Sequence, residues 1–549
     1  MNKPLTLIVR VLFCLGPFIA ASADTGNKGP WGDQGDGTFI NPIIPGDYSD
    51  IDAIRVGDDY YAISSTLHLS PGMSVLHSRD LVNWRIISHA VHDATQIGPE
   101  MNWDRMNRYG RGVWAGAIRY HNGKFWMYFG APDEGIFMTT AIDPAGPWVP
   151  LHCVWKTSGW NDTCPFWDDD GQAYLVMTRF AEDPDTKIRY NIHLFEMSDD
   201  GRELRMDTDR VLHQSRGSEA SKLYKIDGTY YHYFSEVKSE GRVVMMRRAR
   251  SLDGPWQTKQ LIHVNKSADR EPNQGGLIQL PSGDWWFLTH QGTGAWEGRT
   301  LCLLPVHWVD GWPIIGQVGP DGIGNMVWQA QKPIRSYARV HPQTDDDFDS
   351  PTLSPQWEWN HQPRADKWSL TARPGYLRLH AFRPLEPGSL MKAGNTISQR
   401  SMAARHNEAI VKIDISAMAD GQQAGLCHFA RTYAWLGVRQ AEGECTILFN
   451  HDGSVVTGPV IGESEIWLKS TWGQDGLNHF AYSFDAEHFE PFGPPYQLTW
   501  GHYRGDRVGI FSYNDQGERG HIDVDEFRYR LSADQDASAT LNPEGPEGI

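Results

Sequence analysis

Short apolar runs alternate with polar turns along most of the chain, and one arrangement of them recurs. In residues 46–63 the apolar positions Ala53, Ile54 and Val56 lead into a turn at Gly57, which is followed by an aromatic run. Two β-prone runs joined by a Gly/Asp turn are typical of a β-hairpin. The pattern therefore predicts a hairpin centred on Gly57.

The same hairpin pattern occurs four more times along the chain. Its copies lie in residues 116–128, 164–176, 220–234 and 275–288, and the five turn glycines are Gly57, Gly123, Gly171, Gly228 and Gly283. A β-rich pattern that recurs at intervals of roughly 50–65 residues is typical of propeller blades. The sequence therefore predicts an all-β fold with a five-bladed β-propeller in residues 36–337.

Three acidic residues stand just before the hairpins. Asp162 and Glu219 lie nine residues before their turn glycines, and Asp50 lies seven before Gly57. If the first strand is the innermost strand of its blade, the three carboxyls meet at one mouth of the channel. Such a cluster fits acid/base chemistry at a glycosidic bond. The alternative is that acidic residues solvate turns at strand starts, but three in register favour a site.

The pattern changes after the fifth hairpin. Beyond a linker, residues 376–382, 409–415 and 507–513 show short alternating strands. This predicts a concanavalin-like β-sandwich, or jelly roll, in residues 346–532. Residues 533–549 are rich in Asp, Glu, Gly and Pro, which predicts a disordered tail.

The first 23 residues have the pattern of a signal peptide. Lys3 and Arg10 precede an apolar run in residues 11–20, and Ala21-Ser22-Ala23 fits a small-residue cleavage site. The run is too short to span a membrane. We therefore expect export to the periplasm or the medium, with cleavage near Ala23.

The composition of the chain argues against some classes of binding partner and favours others. A formal net charge of −18 argues against nucleic acid and anionic membranes, and 23 Trp, 20 Tyr and 21 Phe suit surfaces that stack on sugars. Five of the six cysteines follow the cleavage site, so at least one thiol is free. Cys153 with Cys164, or Cys427 with Cys445, can pair, but free cysteines in strands are the favoured interpretation. The oligomeric state is not predicted.

The order and spacing of several motifs resemble one enzyme family. They are NPIIPGDYSDID (41–52), RVGDDYY (55–61), DTCPFWDDDG (162–171), GSEASKLYKIDG (217–228), GR (298–299) and PVHWVDGWPIIG (305–316). Together they resemble glycoside hydrolases of family 43, the five-bladed propeller enzymes that include β-xylosidases, α-L-arabinofuranosidases and arabinanases. In relatives with this layout, the second domain walls the active-site pocket.

The resemblance implies a role for each acidic residue. Asp50 becomes the general base that activates water, and Glu219 the general acid. Asp162 becomes the third carboxyl, which orients Glu219 and raises its pKa. Asp52 is the alternative to Asp50, because residues two apart on a strand point to the same face. Glu236 and the turn acids Asp58, Asp59, Asp168, Asp169 and Asp170 are expected to be solvated.

The resemblance also implies sugar-binding residues. Arg299 falls at the position of an arginine that hydrogen-bonds the non-reducing sugar, although a surface ion pair is the alternative. Trp114 is expected to form an apolar wall, or else to pack between blades, and Phe166 is a weaker candidate for the wall. The tryptophans of the outer turns, Trp84, Trp148 and Trp256, are expected to pack between blades.

Two positions depart from the family pattern. Many relatives have Trp-Ala-Pro-Asp where this chain has residues 114–117 as Trp-Ala-Gly-Ala. Relatives often have His, which holds water or a divalent ion in the channel, where this chain has Gln274. We therefore expect no catalytic metal and no required cofactor, and place Gln274 at the substrate. A structural Ca²⁺ near Asp346 or Asp523 is compatible with the oxygen ligands there.

The resemblance implies an inverting exo-glycosidase that removes terminal β-D-xylosyl or α-L-arabinofuranosyl units from plant cell-wall polysaccharides or their xylo- or arabino-oligosaccharides. The two sugars have similar shapes, so the sequence does not separate them. The alternatives are an endo-arabinanase, which needs an open groove, and a carbohydrate-binding propeller without catalysis.

Overall fold

A computed structural model describes residues 31–532 except 184–186, 188, 265–271, 293–294 and 336. Within these ranges the chain is nearly all β, which confirms the predicted fold class. Its helical segments are short 3₁₀ turns at Ala94–Gln96, Pro99–Met101, Ala365–Lys367 and Leu390–Lys392. None of the described helices is long and apolar enough to cross a membrane. The predicted signal peptide and disordered tail lie outside the described residues.

The N-terminal part folds into five antiparallel sheets, each with four strands that pair in chain order, and the fifth sheet gains one further strand from the start of this part. In the first three sheets the strands are Asp52–Val56, Asp59–Ser64, Gly72–Ser78 and Arg85–Val91; Gly116–His121, Lys124–Ala131, Gly135–Ala141 and His152–Trp155; and Trp160–Trp167, Ala173–Arg179, Asn191–Met197 and Leu204–Gln214. In the last two they are Glu219–Ile226, Thr229–Lys238, Gly241–Ala249 and Gln257–Gln260; and Pro272–Gln279, Trp285–Gln291, Thr300–Val309 and Trp312–Ile315.

The predicted hairpins join the first two strands of each sheet. All five turn glycines have positive φ, between +62° and +93°, which a glycine adopts at no steric cost. The first strands contact one another in cyclic order, and that of the fifth sheet returns to that of the first. The first strands therefore form a closed ring.

Glycines let these strands approach closely. A Cβ on Gly276 would lie 2.6 Å from the backbone nitrogen of Ala53, and one on Gly130 would lie 2.8 Å from the Cα of Asn161. The first contact joins the fifth sheet to the first, and the second joins the second sheet to the third. Backbone therefore packs directly on backbone at these junctions.

The first described strands pair with strands at the end of the N-terminal part. Ile44–Asp47 pairs with Thr300–Val309 of the fifth sheet. A small sheet is formed by Gly32–Asp33, Thr38–Ile40 and Gln329–Gln331, and a ribbon by Gln317–Val318 and Gly324–Asn325. The polypeptide thus closes on itself before the second domain begins.

The C-terminal part has two eight-stranded antiparallel sheets. One contains Ser454–Ile461, Glu444–His451, Tyr433–Ala441, Gln422–Phe429, Arg507–Asn514, Ile397–Arg400, Glu358–Asn360 and Leu69–Ser70. The other contains Trp368–Ser369, Leu377–His380, His521–Ser532, His406–Asp414, Glu465–Gly473, Leu477–Ser483, Glu490–Pro491 and Tyr496–Gln497. The three strands predicted in this region all form.

The two parts share one hydrophobic core and one sheet. Leu69–Ser70 lies in sequence between two strands of the first sheet, but it pairs with Glu358–Asn360 of the sandwich. The largest buried apolar cluster contains Ile44 and Trp84 from one part, and Trp357 and Leu436 from the other. The domains are therefore packed against each other as a single unit.

Local predictions about cysteine and tryptophan have different outcomes. All five described cysteines are free thiols, as favoured; Cys164, Cys302 and Cys427 are buried, but Cys153 is exposed and Cys445 half-buried. Trp84 and Trp148 are buried in apolar clusters. Trp256 is half-buried, with the Arg247 guanidinium 4.9 Å from its ring centre.

Candidate active site

The backbone is irregular where the three predicted acids stand. Asp50 and Asp162 have φ of 56° and 52°, and Ala220, directly after Glu219, has φ of 64°. The strand pairing also shifts register beside Asp162, beside Ala220 and beside Gln274. Bulges of this kind turn a side chain away from its regular direction and occur often beside active sites.

The structure brings the three acids to one pocket. Asp50, Asp162 and Glu219 line a cavity of 310 Å³ together with Trp114, Gln274 and Arg299, all of which the sequence analysis selected. The acids lie just before or within the first three residues of the first strands of three different sheets. The register argument therefore predicts their convergence correctly.

Asp162 is the most enclosed of the three acids, at 1 % exposure. Its Oδ2 accepts the Ala220 N–H at 2.7 Å, and its Oδ1 accepts the Gln274 amide at 2.8 Å. Burial, and then the charge of Glu219, raise the pKa of Asp162 to about 7. Because the bond from Ala220 comes from the residue after Glu219, Asp162 also anchors the backbone that carries that acid.

Glu219 is more open to the pocket, with 22 % of its side chain accessible. Burial raises the pKa of Glu219 above its ordinary value, and Arg242 opposes that rise, with Nη1 3.2 Å from Oε1. The Asn273 amide approaches the same oxygen at 3.5 Å. Both acids therefore have raised pKa values, and their titrations are coupled.

Asp50 is paired with an arginine and contacts a histidine. Arg299 Nη1 donates to its Oδ1 at 2.7 Å, and the Asp50 N–H donates to His290 Nδ1 at 2.7 Å. Burial, and then the charge of Arg299, lower the pKa of His290 far below its usual range. A neutral imidazole that accepts at Nδ1 carries its proton on Nε2. Arg299 therefore contacts an acid in the pocket and does not form a surface ion pair.

Asp52, the alternative to Asp50, is excluded from this pocket by its contacts. It is fully buried, and its Oδ2 accepts from Arg119 at 2.7 Å and from the Ile118 N–H at 3.0 Å. These bonds hold the second sheet against the first. Asp52 therefore joins the first two sheets, and of the two aspartates it is Asp50 that lines the pocket.

Aromatic side chains form one wall of the pocket. Trp114 packs against Phe180 and Tyr503, with ring centres 5.6 and 5.7 Å apart. Tyr503 belongs to the sandwich domain, and 56 % of it is exposed. The second domain therefore contributes directly to the wall.

Phe166 does not line this pocket, so its selection as a wall residue is corrected. It is 8 % exposed and packs in an apolar cluster. It lies at a separate cavity with Arg119, Tyr224 and Trp285. The reason is position on the strand: Phe166 lies four residues beyond Asp162, so the strand has carried it towards the turn.

Two further corrections concern acids that were expected to be solvated. Asp168 accepts from Lys225 at 2.5 Å and from the Tyr230 hydroxyl at 2.5 Å, with 8 % of its side chain exposed. Glu236 is 9 % exposed and pairs with Lys238 at 3.0 Å, and hydrogen bonds, chiefly from His213, lower its pKa to about 2. Neither residue lines the candidate pocket.

Sequence reasoning missed several residues of the pocket and its surroundings. They are Arg111, Asn161, Phe180, Arg189, Tyr190, Arg242, Asn273, His290 and Tyr503. Asn273 stands beside Gln274, so the register argument extends to it. Tyr503 comes from another domain and has no local signal in the sequence.

The acids proposed for Ca²⁺ have protein partners. Asp346 accepts from the Phe348 N–H and the Trp357 indole. Asp523 is bound by Arg373 and Arg378. Across the described ranges, no group of three or more His, Cys, Asp or Glu side chains is placed to hold a metal. These residues do not fit a Ca²⁺ site, and none is proposed.

A closed ring of β-sheets with three convergent acids, two of them with raised pKa values, and an arginine defines the site of a glycoside hydrolase. The chain belongs to glycosyl hydrolases family 43, whose model matches residues 39–313. The model described as beta xylosidase C-terminal concanavalin A-like domain matches residues 345–530.

Individual relatives span most of the chain. A beta-xylosidase of Formosa agariphila is 38 % identical, covering 93 % of this chain and 92 % of its own. A non-reducing-end alpha-L-arabinofuranosidase of Bacteroides ovatus is 31 % identical, covering 71 % and 73 %. The crystal structure of a xylan beta-1,4-xylosidase of Bacillus halodurans has a TM-score of 0.77 at 25 % identity, covering 89 % and 99 %. A family 43 protein of Bacillus licheniformis has a TM-score of 0.78 at 26 % identity, covering 90 % and 100 %.

Proposed function

We propose that this protein is an inverting exo-glycosidase that removes terminal β-D-xylosyl or α-L-arabinofuranosyl residues from plant cell-wall polysaccharides or their oligosaccharides. The observation that carries the proposal is the convergence of Asp50, Asp162, Glu219 and Arg299 on one pocket. The names of the relatives support both sugars.

Glu219 is the general acid and Asp162 its modulator. Glu219 is accessible to a leaving oxygen, whereas Asp162 is closed off by Ala220 and Gln274. The charge of Glu219 raises the pKa of Asp162, so the two acids are coupled and the pair keeps one proton to a higher pH than either acid would alone. Asp162 also fixes the backbone of the acid through the bond from Ala220.

Asp50 is the general base. Its Oδ1 is bound to Arg299, and a carboxylate has acceptor capacity left for a water molecule. A base that activates water on the face opposite the acid inverts the anomeric centre in one displacement. Arg299 then holds both the base and the terminal sugar.

The wall favours exo action. Tyr503 and Trp114 close one side of a cavity of 310 Å³, which lies at the small end of the range for ligand sites. An endo-acting enzyme needs a groove that is open at both ends. The endo-arabinanase alternative therefore ranks second.

A panel of nitrophenyl glycosides tests substrate and site together. The mature protein should hydrolyse the β-D-xyloside, the α-L-arabinofuranoside or both, and Asp50→Asn should abolish that activity. Asp52→Asn is the matched control, because it changes a buried aspartate two residues away and should retain turnover while losing stability. Loss of turnover in folded Asp52→Asn, or no hydrolysis of any pentoside, contradicts the proposal.

We also propose export of the chain, on the pattern of residues 1–23. Expression in a bacterial host should give a processed form outside the cytoplasm that begins near Asp24. N-terminal sequencing of the fractionated protein checks this, and an intact Met1 in the cytoplasm contradicts it.

A further inference from the structure

Asp47 holds Arg299 from below the pocket. It ends the strand Ile44–Asp47, which pairs with Thr300–Val309 directly beside Arg299. Its Oδ1 accepts the Arg299 N–H at 3.1 Å and the Ser49 hydroxyl at 2.6 Å. Ser49 Oγ in turn accepts Arg299 Nε at 3.0 Å. One carboxylate thus fixes both the backbone and, through Ser49, the side chain of Arg299.

The side chain of Asp47 is packed tightly against the backbone of the Arg299 segment. A Cβ on Gly298 would lie 2.4 Å from Asp47 Oδ1, so the carboxylate sits directly against the backbone before Arg299. A Cβ on Gly505 of the sandwich would lie 2.7 Å from the Gly298 nitrogen. The segment that carries Arg299 is therefore held between Asp47 and the second domain.

The other oxygen of Asp47 faces charges of the sandwich. Arg507 Nη1 lies 3.7 Å from Asp47 Oδ2, and its Nη2 lies 3.3 Å from Glu358 Oε2. Glu358 Oε1 accepts from Arg400 Nη2 at 2.8 Å. These four side chains, Asp47, Arg507, Glu358 and Arg400, form an interdomain ion network, and each is at most 4 % exposed. Their charges balance, as buried charges must if they are to be tolerated.

The sandwich reaches the guanidinium at a second point. Arg299 Nη2 donates to the Tyr503 carbonyl oxygen at 3.0 Å. The donors of Arg299 are therefore divided among Ser49, Asp50 and Tyr503, one of which belongs to the second domain. A planar guanidinium bound at three nitrogens has one orientation.

We propose that Asp47 is a positioning residue for Arg299, and that Arg507 of the sandwich fixes Asp47 through the interdomain ion network. The second domain thus acts on the pocket through Arg299 as well as through its wall. The proposal rests on the role given above to Arg299 in holding the sugar and Asp50. It concerns residues that do not touch the substrate, so its test must separate positioning from stability.

The test is a double-mutant cycle on the mature protein. Asp47→Asn keeps the shape and one acceptor but removes the charge, and should lower kcat/KM by about 10- to 100-fold through displacement of Arg299. In an Arg299→Ala background, the same change should have less than about a threefold further effect, because residues that act as a unit are not additive. Equal losses in both backgrounds overturn the proposal but leave the assigned roles of Asp50 and Glu219 intact.

Two further variants keep the test decisive if Asp47→Asn folds poorly. Ser49→Ala removes only the hydroxyl that joins Asp47 to Arg299 Nε, and should lower kcat/KM in the wild-type background alone. Arg507→Gln should lower kcat/KM, whereas Arg507→Lys, which keeps the charge, should recover part of the loss. Normal kcat/KM in folded Ser49→Ala and Arg507→Gln contradicts the proposal.

Asp523→Asn is the matched control. Asp523 is 4 % exposed and is paired with Arg373 and Arg378, but it lies away from the pocket. Its replacement should lower the melting temperature and leave kcat/KM unchanged when assayed well below melting. If Asp47→Asn behaves in the same way, its role is structural and the proposal fails.

Discussion

At the residue scale, the roles proposed for Glu219 and Asp162 differ because the two side chains differ in accessibility. Both acids have raised pKa values, but only Glu219 presents a substantial part of its side chain to the pocket. The carboxylate of Asp162 accepts hydrogen bonds from a backbone N–H and from a side-chain amide. One variant tests the proposed acid, and another tests its proposed modulator.

Replacing Glu219 with Gln removes the proton donor and keeps the shape. Turnover of substrates with poor leaving groups should fall by about 100- to 10,000-fold, the usual contribution of general acid catalysis. Activated aryl glycosides should suffer less, because a phenol of low pKa needs little protonation. Steady-state kinetics on an aryl xyloside series with graded leaving groups gives the measurement.

Glu236→Gln is the control for that series, because Glu236 is a buried acid outside the pocket. It should leave the leaving-group dependence unchanged. Equal losses for Glu219→Gln on good and poor leaving groups would show that Glu219 is not the acid.

Replacing Asp162 with Asn removes an ionisable neighbour of Glu219, which carries its negative charge above a pKa of about 7. Because that charge disfavours ionisation of the acid, its loss should lower the pKa of Glu219. The alkaline limb of the pH–rate profile should therefore move to lower pH. The values measured belong to the coupled pair of acids. An unmoved limb, or one shifted upward, refutes the assigned role.

At the element scale, the ring of first strands is closed by glycines that allow backbone contact. Gly276 packs against Ala53 where the fifth sheet meets the first, and a Cβ there would lie within 2.7 Å of two Ala53 backbone atoms. These contacts belong to the junction that completes the ring. The junction is therefore sensitive to a single methyl group.

Gly276→Ala should destabilise the protein by about 1–3 kcal/mol, the usual cost of overpacking. Gly462→Ala is the control, since nothing lies within 4 Å of a Cβ at Gly462, and its effect should stay within about 0.5 kcal/mol. Chemical denaturation of both variants gives the comparison. If the two variants are equally stable, the fifth and first sheets can move apart to fit the added methyl group without loss of free energy of unfolding.

The elements also show what the sequence determines and what it does not. The hairpins were predictable because glycine turns and aromatic strands recur in register, and the same register placed Asp50, Asp162 and Glu219 at one mouth. Arg242 and Tyr503 were not predictable, since they come from the third strand of the Glu219 sheet and from another domain. Phe166 was misplaced because the motif fixes the strand but not how far along it the pocket extends.

At the scale of the whole molecule, the acids of the pocket make stability depend on pH. The pKa of Asp162 is about 7 in the folded state against an ordinary value of 3.8. The folded state therefore binds more protons than the unfolded state between these values. Stability from this group falls as pH rises from about 4 to about 7 and levels off above that range.

Glu219→Gln should reduce this penalty, because it removes the charge that helps to raise the pKa of Asp162. The difference in melting temperature, variant minus wild type, should become more positive between pH 5 and pH 8. Because Glu219 has a raised pKa of its own, the difference reports the loss of that group together with its effect on Asp162. A constant or falling difference argues against the coupling of the two acids.

In the proposed mechanism, Asp50 is a base that activates water and Glu219 is the acid on the other side of the bond. One displacement then inverts the anomeric centre, without a covalent glycosyl-enzyme. Proton NMR of the first product released from a β-D-xyloside tests this most directly. The account predicts that α-xylose appears first and mutarotates afterwards. If β-xylose appears first, the mechanism and the role of Asp50 are both wrong.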